Sequence, residues 1–433
     1  MSGQRQPVWP ADKALALTFN HFGPKSKEHH AQGTFDQSKA KTGKYPKLFS
    51  PVQLPVTKGL TLKNGVVVSP MCMYSSVDGF ITPYHLAHLG SFALHGAGTI
   101  TIEASGVTPQ GRITPEDVGI WKDEHIPSHA SLVSALKSFS KDLTVGIQIA
   151  HAGRKASTWS PFFEGEKKNP NYVTKEEGGW PEEVVGPSAL AYDEGHIVPK
   201  ELTTEEVKGI EKAFVDAADR AYKAGYDFVE LHSAHGYLLH SFLSPLSNKR
   251  KDQYGGSLEN RSRLHLDIIK KINEQHPDLS VWFRISGSDF ADHLKEKGED
   301  PWTVEGTKEV AKLLSTVNVD VLDISGGGLI GAQQIKAAPG YQLPFAKAVS
   351  SLKLSHPLVG TVGRMESGEH AGQLAEQALE ESDASLVFIA RGFITKPNWV
   401  EEAAEQLIGE GTTKNPQYHR ALPVKEVYRS KRD

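Results

Sequence analysis

The sequence predicts an α/β fold: a single (β/α)8 TIM barrel with an N-terminal extension and an enlarged loop after its third strand. Three observations predict it. Eight short apolar runs alternate strictly with eight longer segments of helical period. Each run is nearly continuous in apolar residues, as expected of parallel strands covered on both faces. Polar residues and glycines gather just past the same end of every run, the C-terminal end at which closed barrels place their sites. An open, doubly wound sheet usually shows fewer strands or a break between two halves.

The strand candidates are 66–71, 99–105, 144–150, 228–232, 281–286, 319–325, 359–362 and 385–390. The helix candidates are 84–95, 126–141, 204–224, 258–275, 303–316, 341–352, 367–380 and 399–408. Thr203 followed by Glu206 forms a capping box at the start of the third helix, and Gly225 sits where a left-handed C-cap belongs. Pro397 lies near the start of the last helix, where its missing N–H costs little. Residues 1–46 are polar and irregular and read as an extension outside the barrel, which takes 47–411; residues 412–433 form a polar tail with Pro416 and Pro423. About fifty residues separate the third strand from the third helix, a length that is functional or mobile. At that end of a barrel it reads as a lid or rim, centred on 157–181.

A chain of 433 residues holds such a barrel, about 250 residues in its plainest form, with extensions to spare. Net charge −4 gives no reason to expect nucleic acid or an anionic membrane as partner. Cys72 is the one cysteine, which excludes an intrachain disulfide and a cysteine-held iron–sulfur cluster. No stretch approaches the roughly 18 apolar residues that span a bilayer, and Arg5, Asp12 and Lys13 interrupt any secretory signal core. The expected location is the cytoplasm.

Applied strand by strand, the barrel rule collects the chemistry. Ser69-Pro70-Met71-Cys72-Met73-Tyr74 follows the first strand and Glu103-Ala104-Ser105 ends the second. Gln148 and His151 to Lys155 follow on the third, and His232, His235 and Tyr237 on the fourth. Arg284 lies in the fifth, Gly326 to Gly328 after the sixth, Gly363 after the seventh, and Ala390 with Arg391 after the eighth. Glycine lets backbone N–H groups approach an anion, and loops after strands seven and eight often hold a phosphate. Gly363 with Arg391 therefore reads as a phosphate site, although each glycine alone would serve a tight turn. His232 and His235 have metal-like spacing, but no cysteine cluster or helical register goes with it, and no metal is expected. The other role for the pair is two N–H donors aimed at one oxygen that gains negative charge. Tyr237 alone would be a packing aromatic; beside the pair it can supply a proton. Cys72 is either a small buried hydrophobe or a thiol near a cofactor.

In combination and order these motifs, with 242–248 and 254–261 after them, resemble the Old Yellow Enzyme family over roughly 47–420, and within it the thermophilic-like class III subgroup. The resemblance implies an FMN-dependent NADPH dehydrogenase acting as an ene-reductase, with FMN bound non-covalently and NADPH or NADH as reductant. It implies Ser69, Pro70, Met71, Cys72, Ala104, Gln148, His232, Arg284, Gly363, Ala390 and Arg391 as cofactor contacts. His232 and His235 would hold the substrate carbonyl oxygen of an activated alkene, Tyr237 would protonate it, and Tyr74 would touch it. Arg420 would reach a neighbouring subunit's site, in a homodimer or homotetramer. The competing expectations are a flavin dehydrogenase or demethylase with a dedicated metabolic substrate, and a barrel that binds flavin without turnover.

Overall fold

The computed structural model describes residues 45–140, 142–162, 171–367, 372–409 and 418. Eight parallel strands close into a barrel: β1 (Val66–Val68), β2 (Thr99–Gly106), β3 (Thr144–Ala150), β4 (Phe228–Ser233), β5 (Ser280–Ser286), β6 (Val321–Ser325), β7 (Leu358–Thr361) and β8 (Leu386–Ile389). Each pairs with the next in sequence, and β8 pairs with β1. The longer helices between and after them are α1 (Pro83–Leu94), α2 (Ile126–Phe139), α3 (Thr204–Lys223), α4 (Leu258–Gln275), α5 (Val304–Leu314), α6 (Leu343–Ser350), α7 (Gln373–Glu380) and α8 (Trp399–Ile408). All eight expected strands and helices are present, with ends displaced by a few residues. The largest difference is α7, expected from Ser367, which starts at Gln373.

The expected caps form. The Glu206 N–H donates to Thr203 Oγ1 at 3.2 Å and the Thr203 N–H donates to Glu206 Oε2 at 2.8 Å. Gly225 adopts φ +86°, the left-handed turn that ends α3.

Successive strand residues point to opposite sides of the wall. Val66, Val68, Ile100, Ile102, Val229 and Leu231 face outward into the large apolar layer under the helices. Val67, Phe228, Trp282, Val321, Leu386 and Phe388 face inward and form a second cluster. Phe228 stacks on Trp282 with ring centroids 3.8 Å apart. That bulk fits because the inward positions of β3 and β7 are Gly146 and Gly360: a Cβ there would strike the Phe228 and Phe388 rings. A short ribbon pairing Val52–Gln53 with Thr61–Leu62 brings Leu54 and Leu62 against the same cluster and plugs the barrel's N-terminal end.

One layer nearer the C-terminal end, the inward residues turn polar: Gln148, Glu230, Arg284 and Asp323 are all buried. A barrel interior closed with apolar bulk at one end and charge at the other directs its chemistry to the charged end.

The loop after β3 is anchored where it is described. Trp180 is buried against Ile113, Ala152 and Ala156. Arg154 donates to the carbonyls of Leu190 and Ala191 at 3.2 and 3.1 Å. Residues 163–170 of the expected lid lie outside the described residues, as do 1–44 of the extension and all of the tail except Tyr418. No described helix is long and apolar enough to cross a membrane.

Candidate active site

A cavity of about 230 Å³ opens at the C-terminal end of the barrel. Its wall includes Ser69, Pro70, Arg284, Gly363, Ala390 and Arg391, six of the residues expected to touch a cofactor, together with His235. Tyr341, Gln342 and Arg364 also line it, and none of the three was expected as a cofactor contact, although Arg364 follows Gly363 at the end of the seventh strand. Tyr341 and Gln342 enter from the loop before α6, far from any strand-end motif, so only the closed barrel brings them here.

The ends of this cavity differ in charge. Arg364 and Arg391 are exposed at one end and make no ion pair among the described residues; Glu366 is the carboxylate in the same wall. Gly363 there has φ +115°, beyond ordinary L-residue backbone. At the other end the buried Arg284 guanidinium donates to Ser69 Oγ at 2.7 Å and is paired with Asp323. Burial opposes the Arg284 charge, yet Asp323 and then Glu230 outweigh it and raise its pKa. This donor set fits a molecule with an anionic group at one end and an electron-accepting ring at the other.

The remaining expected contacts do not line this cavity. Gln148 donates to Glu230 Oε1 at 2.7 Å, in the layer beneath. Ala104 is buried beside an irregularity in the β2–β3 pairing. Met71 packs against the main core, and Cys72 against the cluster around Ala152 and Trp180. Burial first, then Asp117 and Glu103, push the Cys72 thiol well above its usual pKa, so it stands as a neutral thiol. Arg420 lies outside the described residues.

His232, His235 and Tyr237 come together at the end of β4. The His232 ring meets the His235 ring at 5.1 Å and the Tyr237 ring at 4.8 Å between centroids, nearly perpendicular in both cases. The Ala234 N–H donates to His232 Nδ1 at 3.3 Å, which leaves Nε2 to carry the proton of the neutral ring. Burial, then His235 and Arg284, hold His232 well below the ordinary imidazole range; burial and Arg284 do the same to His235. Both rings are therefore neutral near pH 7. The pair is not symmetric, because His235 Nε2 already lies 2.7 Å from Ser325 Oγ. Burial pushes the Tyr237 phenol well above its usual pKa, so it keeps its proton.

The backbone of this turn is held at every step. His235 and Gly236 adopt φ +60° and +77°. The His235 N–H donates to Ser286 Oγ at 3.0 Å, and Lys155 Nζ donates to the His235 carbonyl at 2.9 Å. The Gly236 N–H donates to His240 Nδ1 at 2.9 Å, and Ser241 Oγ donates to the Gly236 carbonyl at 3.0 Å. A side chain on Gly236 would collide with the Gly328 carbonyl. Lys155 and His240 were missed in this role because nothing in their spacing distinguishes a backbone clamp from an ordinary polar residue.

Sequence comparison places this geometry. The profile of the NADH:flavin oxidoreductase / NADH oxidase family matches residues 47–410. The chain belongs to that family. It is thus a flavin- and nicotinamide-using oxidoreductase of the Old Yellow Enzyme kind. Among relatives, the NADPH dehydrogenase of Bacillus subtilis is 42% identical over 363 residues, covering 83% of this chain and 95% of the relative. The NADH:flavin oxidoreductase FG08077 of Gibberella zeae is 40% identical over 368 residues, covering 83% and 86%. Among solved structures, morphinone reductase superposes with a TM-score of 0.65 at 24% identity, covering 86% of this chain and 93% of that one, a likeness in fold.

Glu103 of this flavin oxidoreductase is a further buried carboxylate near the site. It accepts the Met73 N–H at 3.0 Å, and its Oε2 faces His85 Nε2 at 3.7 Å. Met73 precedes Tyr74, which has φ +49° and meets Phe162 edge-on at 5.5 Å. Burial, with Asp117 adding to it, pushes the Glu103 carboxyl up to about 8. The folded pKa is raised, so its contribution to stability is full below the unfolded carboxylate pKa and is lost as pH rises toward 8. Buried His85, His129 and His265, held near 4, oppose this only below the unfolded histidine value of 6.5. Between pH 6.5 and 8, ionisation of Glu103 should therefore lower stability as pH rises. Urea midpoints at those two pH values should fall less for Glu103→Gln than for the wild type; equal losses would contradict the assignment.

Proposed function

We propose that this chain is an FMN-dependent ene-reductase of the class III subgroup, with NADPH or NADH as reductant and activated alkenes as substrates. The supporting observation is the trio at the end of β4: a neutral Nε2–H on His232, a second imidazole and a protonated phenol, ring against ring, with His235 in the wall of the cavity. An acid beside a donor pair is what reduction of a polarised C=C bond demands of a protein.

When bound, FMN would supply the hydride chemistry that links the nicotinamide to the β-carbon of the alkene. The residues fit it non-covalently. Arg391, Arg364 and the Gly363 turn would hold its phosphate, and Ser69, Pro70 and Arg284 its ring. In turnover, His232 Nε2–H and His235 hold the substrate's carbonyl oxygen and stabilise the negative charge that gathers on it. Tyr237 delivers its proton to the α-carbon. Both histidines are neutral, so each ring carries a single N–H to donate. Nitroalkenes present the same oxygen and would use the same groups. Tyr74 would touch the substrate, and Arg420 would complete a neighbouring subunit's site in a homodimer or homotetramer in the cytoplasm.

Protein reconstituted with FMN should be yellow, bleach anaerobically with NADPH, and recover its colour on adding 2-cyclohexenone. If FMN does not bind, the reading fails at its first step. If FMN binds and is reduced but no activated alkene reoxidises it, the enzyme is a dehydrogenase for another substrate.

A further inference from the structure

Behind Arg284 in the cavity wall stand two buried carboxyls for which the reaction above has no use. Arg284 on β5 stands in register with Asp323 on β6 and also reaches Glu230 on β4. Its guanidinium is hydrogen-bonded to Asp323 Oδ2, and its Nε is 3.6 Å from Glu230 Oε1. Both carboxyls are fully buried. Gln148 donates to Glu230 at 2.7 Å, and Ser69 accepts from Arg284 at 2.7 Å. Glu230 Oε2 and Asp323 Oδ1 have no hydrogen-bond partner among the described residues. Two buried carboxyls thus share one cation, and each keeps an empty oxygen able to take a proton.

Charge balance decides how many protons the cluster holds. With both carboxylates ionised, the dry interior would carry a net negative charge, which burial makes very costly. One proton on Glu230 leaves Arg284 and Asp323 as a neutral pair. In line with this, burial and Asp323 push Glu230 up to about 8, and burial raises Asp323. The charged groups facing the two carboxyls are each other and Arg284; Gln148 is neutral.

We propose that Asp323 and Glu230 form a counter-ion switch behind Arg284. Asp323 serves as the guanidinium's anion while the bound cofactor ring is uncharged, and it takes up a proton when the ring becomes anionic. The inference rests on the FMN reading above. A hydride from NADPH brings two electrons and its own proton, leaving one extra negative charge in the site. One further proton from solvent then forms an O–H bond on Asp323, and Arg284 exchanges one anion for another. Nothing else is oxidised or reduced. The role is positioning of charge, and neither carboxyl touches substrate.

The test uses the FMN holoenzyme, mixed anaerobically with one equivalent of NADPH in weak buffer containing a pH indicator. Uptake of one proton per NADPH consumed is expected. The infrared reduced-minus-oxidised difference spectrum should gain a protonated-carboxyl C=O stretch. The double variant Glu230→Gln with Asp323→Asn should lose both signals while still being bleached. A wild-type spectrum without the carboxyl band overturns the switch, as does a double variant that keeps the uptake. If the double variant does not fold, Asp323→Asn alone decides: the band must move as Glu230 takes over, and an unmoved band refutes the proposal. Failure to bind FMN, or to bleach, would instead count against the FMN reading itself.

Discussion

Replacing Tyr237 by Phe is expected to slow reoxidation of the reduced enzyme by an enone about 10²–10⁴-fold, the usual worth of a positioned acid. Reduction by NADPH should keep its wild-type rate, because that half-reaction needs no proton from the phenol. The fold should tolerate the change: the ring packs against Ala152, Ala156 and Trp180, and Phe keeps that apolar surface. Stopped-flow absorbance separates the two half-reactions. Equal slowing of both would mean that Tyr237 shapes the site and does not act as its acid.

Removal of the imidazoles should give the second large effect, and it should be unequal. His232→Ala deletes a donor whose Nδ1 is already committed to the Ala234 N–H and whose Nε2–H is free for a substrate oxygen. A loss of about 10²–10³ in enone turnover is expected, as for other donors of this kind. His235→Ala should cost less, because it leaves the Ser325 hydroxyl that now lies 2.7 Å from His235 Nε2. Titration with a substituted phenol, followed by the long-wavelength band of a flavin–phenolate complex, should weaken in the same order. If both variants together left phenol binding and enone turnover unchanged, the donor assignment would be wrong.

Much of the fold was legible because barrel strands carry two separate signals. Runs such as 144–150 and 228–232 are nearly continuous in apolar residues, and that continuity marks them as buried strands. The inward side was harder to read. Gly146 and Gly360 look like strand weaknesses in sequence, whereas each makes room for an aromatic ring across the barrel. Glu230 and Asp323 look like interruptions in apolar runs, whereas they face Arg284 from both neighbouring strands. Such partners lie 54 and 39 positions from Arg284, and no local period connects them.

The site divides in the same way. Strand-end motifs located Ser69, His232, His235, Tyr237, Gly363 and Arg391 because a closed parallel barrel sends every strand end to one rim. The groups that hold those residues in place carry no such mark: Lys155 and His240 lie on short helical turns after β3 and β4, and Ser286 and Ser325 end β5 and β6 as ordinary serines. Sequence by itself determined the barrel, its reactive rim and the residue types available there, since periodicity and strand-end chemistry are local properties of the chain. Only the tertiary structure decided which nitrogen of His232 carries the proton, that His235 is shared with Ser325, and that two buried carboxyls stand behind Arg284. Those depend on distances of about 3 Å between distant segments, where hydrogen bonding and burial set charge and tautomer.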